Sequence, residues 1–471
     1  MRKRAKVAII GGGIAGSTVA LYLSELGVDI TLFEKKASLV DGPPICHLHA
    51  GGNLYREISN EQCVRLLDES IELVRYYPQC IDYRPTVICI PQEDKGRVED
   101  LSPRLKLLKE EYAKLVKEDK QNRVLADAQE YYKLYDKETI LKLKNMDSVK
   151  NPKSLDEWMI PVAKNVALEK IKFPLIIVQE YGINIFRLAS DVTLRLERQK
   201  DATLKLQSKV IDLKKEGDSF TLRYKHSQKR YEQNFDFIIN AAGFESGKLD
   251  DMLEIKRDRF VEFKAAYVTK WEENSHQWPE VIFHGERGTP KGMAQFTPYP
   301  GGFFQLHGMT KEITLFEDGL VKNDPKSSQP KLASKFIQKI EKSWNESIDK
   351  KRSQAALSYL SSFIPSFKSA KRASKPLFGA QQIPGDDENL RAAEVTFVDE
   401  RYARCEIVKA SSVLKMSREI AKQLEKLGYL EKDKEYQATT QVDEDELQEL
   451  AIEIVESREY PKCMAYRNIA L

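Results

Sequence analysis

The chain has 471 residues, 41% of them hydrophobic and 31% charged, which is enough for a packed core and about two to three ordinary domains. Its 75 Lys and Arg nearly cancel 72 Asp and Glu, leaving +3, which argues against a protein that holds nucleic acid mainly by electrostatics. The cysteines Cys46, Cys63, Cys80, Cys89, Cys405 and Cys463 form no CxxC pair, which argues against a zinc ribbon, a dithiol redox site or a secreted disulfide framework and points to a reducing cytoplasm.

The start is basic and then apolar, like a signal peptide, but glycines interrupt the run and no small-residue cleavage site follows. Lys6 to Ile10 reads as a buried strand and Ala15 to Leu26 as a helix with Val19, Leu23 and Leu26 on one face. Gly27 ends that helix, and Val28 to Phe33 is a second strand closed by Glu34. Such a βαβ opening builds a parallel, doubly wound sheet. No other segment reaches the length of a membrane span.

Residues 61–77 form an amphipathic helix and 81–91 a strand. Residues 95–150 are lysine-rich and helical, with Leu105, Leu108, Tyr112, Leu115 and Val116 at helical spacing. They are expected to cover a sheet edge, with a membrane-surface helix as the alternative. A helix over 186–199 precedes a hairpin over 203–213 and 218–225. Phe235 to Ile239 is a short buried strand, residues 260–316 are strand-rich, and helices follow over 331–348 and 411–427. An acidic helix over 443–459 carries Leu447, Leu450, Ile454 and Val455 as a narrow stripe. It is expected to be a docked or solvated cap, with partner binding as the alternative.

Gly11-Gly12-Gly13-Ile14-Ala15-Gly16 is a G-x-G-x-x-G placed between strand and helix. The first glycine permits a tight turn, the second lets the backbone approach a pyrophosphate, and the third lets helix and strand pack closely. The helix N-terminus offers unpaired N–H groups and partial positive charge to phosphates. Glu34 stands where a carboxylate accepts from a ribose diol. The motif alone serves both NAD and FAD. Residues 41–57 favour FAD, because Gly51-Gly52, flanked by His47 and His49, lets main chain lie close to a flat ring. His47 and His49 lack a third ligand, so no metal is expected. Alternation over 298–310 sends Phe304, Leu306 and Gly308 one way and Gln305, His307 and Met309 the other. His307 therefore either faces a substrate cavity or is satisfied by a neighbour within the sheet.

The opening, the His-Ala-Gly-Gly loop at 49–52 and the run Phe235 to Gly243 together resemble the D-amino-acid-oxidase-like superfamily of FAD enzymes. That group includes glycine and sarcosine oxidases, glycerol-3-phosphate dehydrogenase, malate:quinone oxidoreductase and L-2-hydroxyglutarate dehydrogenase, and His49-Ala50-Gly51 is most similar to its hydroxy-acid branch. The resemblance spans residues 1–60, 235–245 and 375–427. It implies an α/β fold: a discontinuous Rossmann-type FAD-binding domain over 1–80, 181–250 and 371–430, intertwined with a sheet-and-helix substrate domain over 81–180 and 251–370. Residues 431–471 remain as an acidic helical tail.

The resemblance implies that Gly11, Gly13, Ile14, Ala15, Gly16, Glu34, Lys35, His49, Gly51, Gly52, Val210, Ala242, Gly243, Ser411 and Ser412 hold FAD. Asn240 to Gly243 would sit over the cofactor, and Ser411 or Ser412 would cap the last helix, whose dipole stabilises negative charge on the reduced flavin. His49 stands as a base, a flavin neighbour, a covalent link or an ordinary loop histidine. Cys46 and Cys405 are expected to be small buried fillers.

One departure concerns the substrate clamp. Gln381 or Gln382 occupies the place where the family often has a carboxylate-binding arginine. Arg391 and Arg404 are the replacements considered, against structural salt bridges to Glu394 and Glu406. The expected activity is FAD-dependent dehydrogenation of a small carboxylate-bearing substrate at a C–OH or C–NH carbon, with His49, His307, Arg391 and Arg404 as candidate catalytic residues. Electrons would pass to quinone, oxygen or another carrier, with peripheral membrane contact if quinone accepts them; no nucleic acid partner and a cytoplasmic location are expected. The alternatives are a flavoprotein of tRNA-base modification and a non-catalytic FAD-binding interaction protein.

Overall fold

A computed structural model describes residues 5–42, 58–274, 276–342, 344–388, 390, 395–432 and 441–467. Two large sheets organise them. The first is six-stranded, in the order Val395–Asp399, Tyr402–Cys405, Phe237–Asn240, Lys6–Ile10, Asp29–Phe33, Ala202–Lys205. All its pairings are parallel except the outermost, between Val395–Asp399 and Tyr402–Cys405. Its strand Lys6–Ile10 is apolar and buried from Val7 onward because both faces are covered. Val7 and Ile9 join the core beneath the helices Ile14–Glu25, Ile185–Glu197 and Val413–Lys426. Ala8 and Ile10 turn the other way, against Leu213, Phe220, Leu222 and Phe235 of a three-stranded antiparallel sheet.

The second sheet is ten-stranded and largely antiparallel, and includes Thr86–Pro91, Ile171–Val178, Arg259–Lys270, Glu280–Phe283, Ala294–Tyr299 and Phe303–Gly308. One face packs on the helices Leu155–Asn165 and Glu346–Phe363, with Phe283, Phe296, Phe304 and Leu306 in that core. Gln295, Gln305 and His307 alternate to the opposite face and line a cavity. That cavity separates this sheet from the glycine loop of the first.

Several expected elements differ from those observed. The 81–91 run splits at Pro85, which has no N–H to give a ladder: Ile81–Asp82 pairs with Gly182–Ile183, and only Thr86–Pro91 enters the large sheet. Within 95–150, Ser102–Glu118 is a helix, but it packs on Asn60–Tyr76 rather than a sheet edge, and Tyr132–Tyr135 is a strand. The helix expected over 331–348 is two helices, Ser334–Glu341 and Glu346–Phe363, the second capped by Asn345 accepting from Ser347 N. Leu377–Pro384 pairs along Arg259–Lys270. The acidic helix is observed as Glu444–Ser457, docked on Ile185–Glu197. Arg187, fully buried, fastens it through Glu444 at 2.6 Å and Gln448 at 2.7 Å. Among the described residues no helix is long and apolar enough to cross a membrane.

Candidate cofactor and substrate cavity

The glycine loop has the three geometries its spacing predicts. Gly11 has φ +107°, and a Cβ there would lie 2.3 Å from Ala241 O. A Cβ on Gly16 would lie 1.8 Å from Gly11 O, so helix and strand meet with no room for a side chain. A Cβ on Gly13 would meet nothing within 4 Å, and Gly13 lines the cavity. The helix Ile14–Glu25 begins at Gly13 without a side-chain cap, so its first-turn N–H groups are available to an anion beside the cavity-lining Ile14 and Ala15.

Glu34 is pinned beside this loop. Its Oε2 accepts from Gly12 N at 2.6 Å and its Oε1 from Lys36 N at 2.8 Å. Each oxygen keeps a second acceptor site for a ribose diol. The open face at Gly13, the uncapped helix and this carboxylate together fit a dinucleotide. Glu34→Ala should weaken FAD binding, on the order of tenfold, through loss of a charge-assisted contact. Titration of apoprotein with FAD checks it, and unchanged affinity would contradict the assignment.

The other expected cofactor residues fall in different places. Gly243, at φ +59°, and Ser411 line the cavity. Ala242 and Val210 pack partly into the apolar cluster around Phe33, outside the cavity lining. Lys35 pairs with Glu245 and lies 5.5 Å from the Phe244 ring, tying the end of the second strand to the turn after Asn240. Ser412 occupies the N-cap position of Val413–Lys426 but makes no cap bond; its hydroxyl donates to Glu69 at 2.6 Å. Cys405 is buried at the cavity wall, where burial raises its thiol well above the ordinary value, as suits a filler. His49, Gly51, Gly52, Cys46 and Arg391 lie outside the described residues.

The cavity measures about 1560 Å³. Its far wall is the ten-stranded sheet, where Gln305, His307 and Met309 line it together, as alternation predicts. Gln305 is 1% exposed, and neither end of its amide has a hydrogen-bond partner among the described residues. His307 Nδ1 also lacks one. Burial, with Lys264 adding to it, pushes the His307 imidazole down to about 3, so the ring is neutral across the physiological range. The folded value lies below that of a free histidine, about 6.5. Protonation therefore favours the unfolded chain: His307 costs nothing above about pH 6.5 and progressively destabilises the fold from there down to about 3. Denaturant midpoints at pH 7 and pH 4 should accordingly converge more closely in His307→Asn than in the parent, and equal losses in both would contradict the buried neutral imidazole.

Arg404, considered as a clamp, does not line the cavity. It is 2% exposed, and its Nε lies 2.9 Å from Asp250 Oδ2. Arg259 and the Tyr402 hydroxyl converge on the same carboxylate. The pairing considered with Glu406 is a secondary contact at 3.9 Å. The residue is thus held in a buried structural network through its Nε and Nη1. The cavity's cations include Lys264 and Arg287, which sequence reasoning missed. Both bind Glu262, Lys264 at 2.9 Å. Burial alone would raise the Glu262 carboxyl, but the two cations hold it below its ordinary value. The signal was present: Glu262 and Lys264 are charges two apart in the otherwise apolar run Phe260 to Val268 of the strand Arg259–Lys270.

Comparison with known proteins agrees with this geometry. Residues 6–140 match the family model described as FAD dependent oxidoreductase. The fold is shared with L-proline dehydrogenase from P. horikoshii, at TM-score 0.56 and 14% identity over 92% of this chain and 96% of that one. It is shared equally with L-alpha-glycerophosphate oxidase from Mycoplasma pneumoniae, whose structure has FAD bound, at TM-score 0.55 and 15% identity over 90% and 95%. A curated relative, thiamine thiazole synthase from Methanosarcina acetivorans, is 41% identical over 64 residues, which span 13% of this chain and only 23% of that protein. Fold, glycine loop and cavity define an FAD-binding flavoprotein. Over residues 6–140 the chain is similar to the FAD-dependent oxidoreductase family, and over most of its length it shares the fold of these flavoproteins.

Proposed function

We propose that the protein dehydrogenates a small carboxylate-bearing substrate at a carbon carrying a hydroxyl or amine, and passes the electrons to quinone, oxygen or another carrier. One observation carries this reading: a single cavity joins the glycine loop to a sheet wall that bears both a cation and unpartnered neutral polar groups. When bound, FAD would supply the hydride acceptor. The protein's own contribution is to bind and orient.

Lys264 and Arg287 both contact Glu262, so two cations stand together at the cavity wall. A carboxylate entering a water-poor cavity needs such a partner. Lys264 also reaches Gln381 Oε1 at 3.4 Å, so one of the two glutamines considered for the family's arginine position helps to orient the lysine. His307 and Gln305 offer neutral donors and acceptors, which suit a hydroxyl or amine on the adjacent carbon.

An anaerobic screen of hydroxy and amino acids for bleaching of the flavin tests the reading. Bleaching by at least one carboxylate substrate is the expected result, and with that substrate Lys264→Met should lower kcat/KM on the order of tenfold or more at normal FAD content. Unchanged kinetics in that variant would remove Lys264 from the clamp, and bleaching only by uncharged substrates would overturn the proposed class.

A further inference from the structure

We infer that the acidic helix Glu444–Ser457 is a latch on the cofactor site, and that Arg458 is the positioning residue through which it acts. This goes beyond the substrate reading and requires only that FAD binds.

Val40 is the first observation. It lines the cavity, it is 4% exposed, and its φ is +53°. A β-branched side chain rarely adopts that backbone, so the surrounding structure must hold it there. Two holds are visible. The Val40 N–H donates to Gly12 O at 2.8 Å, which joins the turn to the glycine loop. On the other side stands Arg458, immediately after the acidic helix. Its guanidinium donates to Leu39 O at 2.6 Å, Ser38 Oγ at 2.9 Å and Val40 O at 3.2 Å.

The turn is also packed against the loop it serves. Leu39 is fully buried, and its Cδ2 lies 2.7 Å from where a Cβ of Gly12 would be. A shift of residues 38–40 therefore moves the backbone that borders the dinucleotide. Arg458 in turn is placed by the helix that carries it. Leu447, Ala451, Ile454 and Val455 are buried, Ser190 donates to Leu447 O at 2.8 Å, and the Arg458 guanidinium lies 5.8 Å from the Phe186 ring. Docking of the acidic helix is thus relayed by one planar fork onto three acceptors of the turn. Lysine cannot span them.

The test is the rate at which holoprotein releases FAD, followed by the rise in flavin fluorescence on dilution, beside the unfolding midpoint of each apoprotein. Arg458→Ala should speed release on the order of tenfold, the loss expected for charge-assisted bonds to a strained turn. Arg458→Lys should fail to rescue it. Val40→Gly relieves the strain, so Arg458→Ala in that background should change release by less than about threefold. FAD released by Arg458→Ala at the parent's rate would overturn the latch alone. So would an equal effect in the Val40→Gly background, or a fall in apoprotein stability with the release rate unchanged. A parent protein that binds no FAD would overturn the cofactor assignment and the latch with it.

Discussion

Gly13→Val should give a folded, colourless protein. At this position a Cβ meets nothing within 4 Å, and the backbone, at φ −67° and ψ −178°, lies in the extended region that valine favours. The side chain would stand at the mouth of the helix Ile14–Glu25, where a pyrophosphate must approach. Loss of FAD with an unfolding midpoint close to that of the parent apoprotein is therefore expected. Gly16→Val makes the contrast, because its Cβ would lie 1.8 Å from a main-chain oxygen and the strand–helix junction would have to open. That variant should lose FAD and stability together. Absorbance of the purified proteins and their denaturation curves separate the two outcomes. A yellow Gly13→Val protein with parent affinity would show that no cofactor passes over this glycine.

Asp250→Ala should be the most destabilising single change outside the core. Asp250 is fully buried and takes Arg259, Arg404 and the Tyr402 hydroxyl, while Arg259 is also fully buried. Removing the carboxylate leaves two buried guanidinium groups sharing the more distant Glu406, and breaking a buried ion pair on one side costs about 3–5 kcal/mol. The network joins Tyr402–Cys405 of the parallel sheet to Arg259–Lys270 of the large one, so the effect should appear as a lower denaturant midpoint. By the same argument Arg404→Lys should act on stability rather than on KM. A midpoint within about 0.5 kcal/mol of the parent in Asp250→Ala, the range of ordinary surface changes, would show that the cluster is not a structural joint.

The dinucleotide half was legible because its chemistry is local. Gly11 to Gly16 and Glu34 fall within one βαβ unit, and the strand Phe237–Asn240 was readable as a short apolar run ending in Asn-Ala-Ala-Gly. Alternation likewise placed Gln305, His307 and Met309 on one face. What failed was what depends on distant chain. Arg404 is 154 residues from Asp250, and nothing local distinguishes that arginine from a substrate clamp. Arg458 is 418 residues from the Val40 oxygen it binds. The pairing of Leu377–Pro384 along Arg259–Lys270 is not legible locally, because strand pairing is set by tertiary neighbours. Lys264 was passed over because a lysine in a strand usually points to solvent, whereas this strand turns one face to a cavity.

The cavity between the two sheets is read as an FAD site. Acid denaturation of the purified protein, followed by identification of the flavin in the supernatant and any retained on the polypeptide, tests it most directly. FAD is expected, close to one per chain, whether released or covalently held. FMN, a nicotinamide dinucleotide alone, or no flavin after reconstitution with FAD would contradict it.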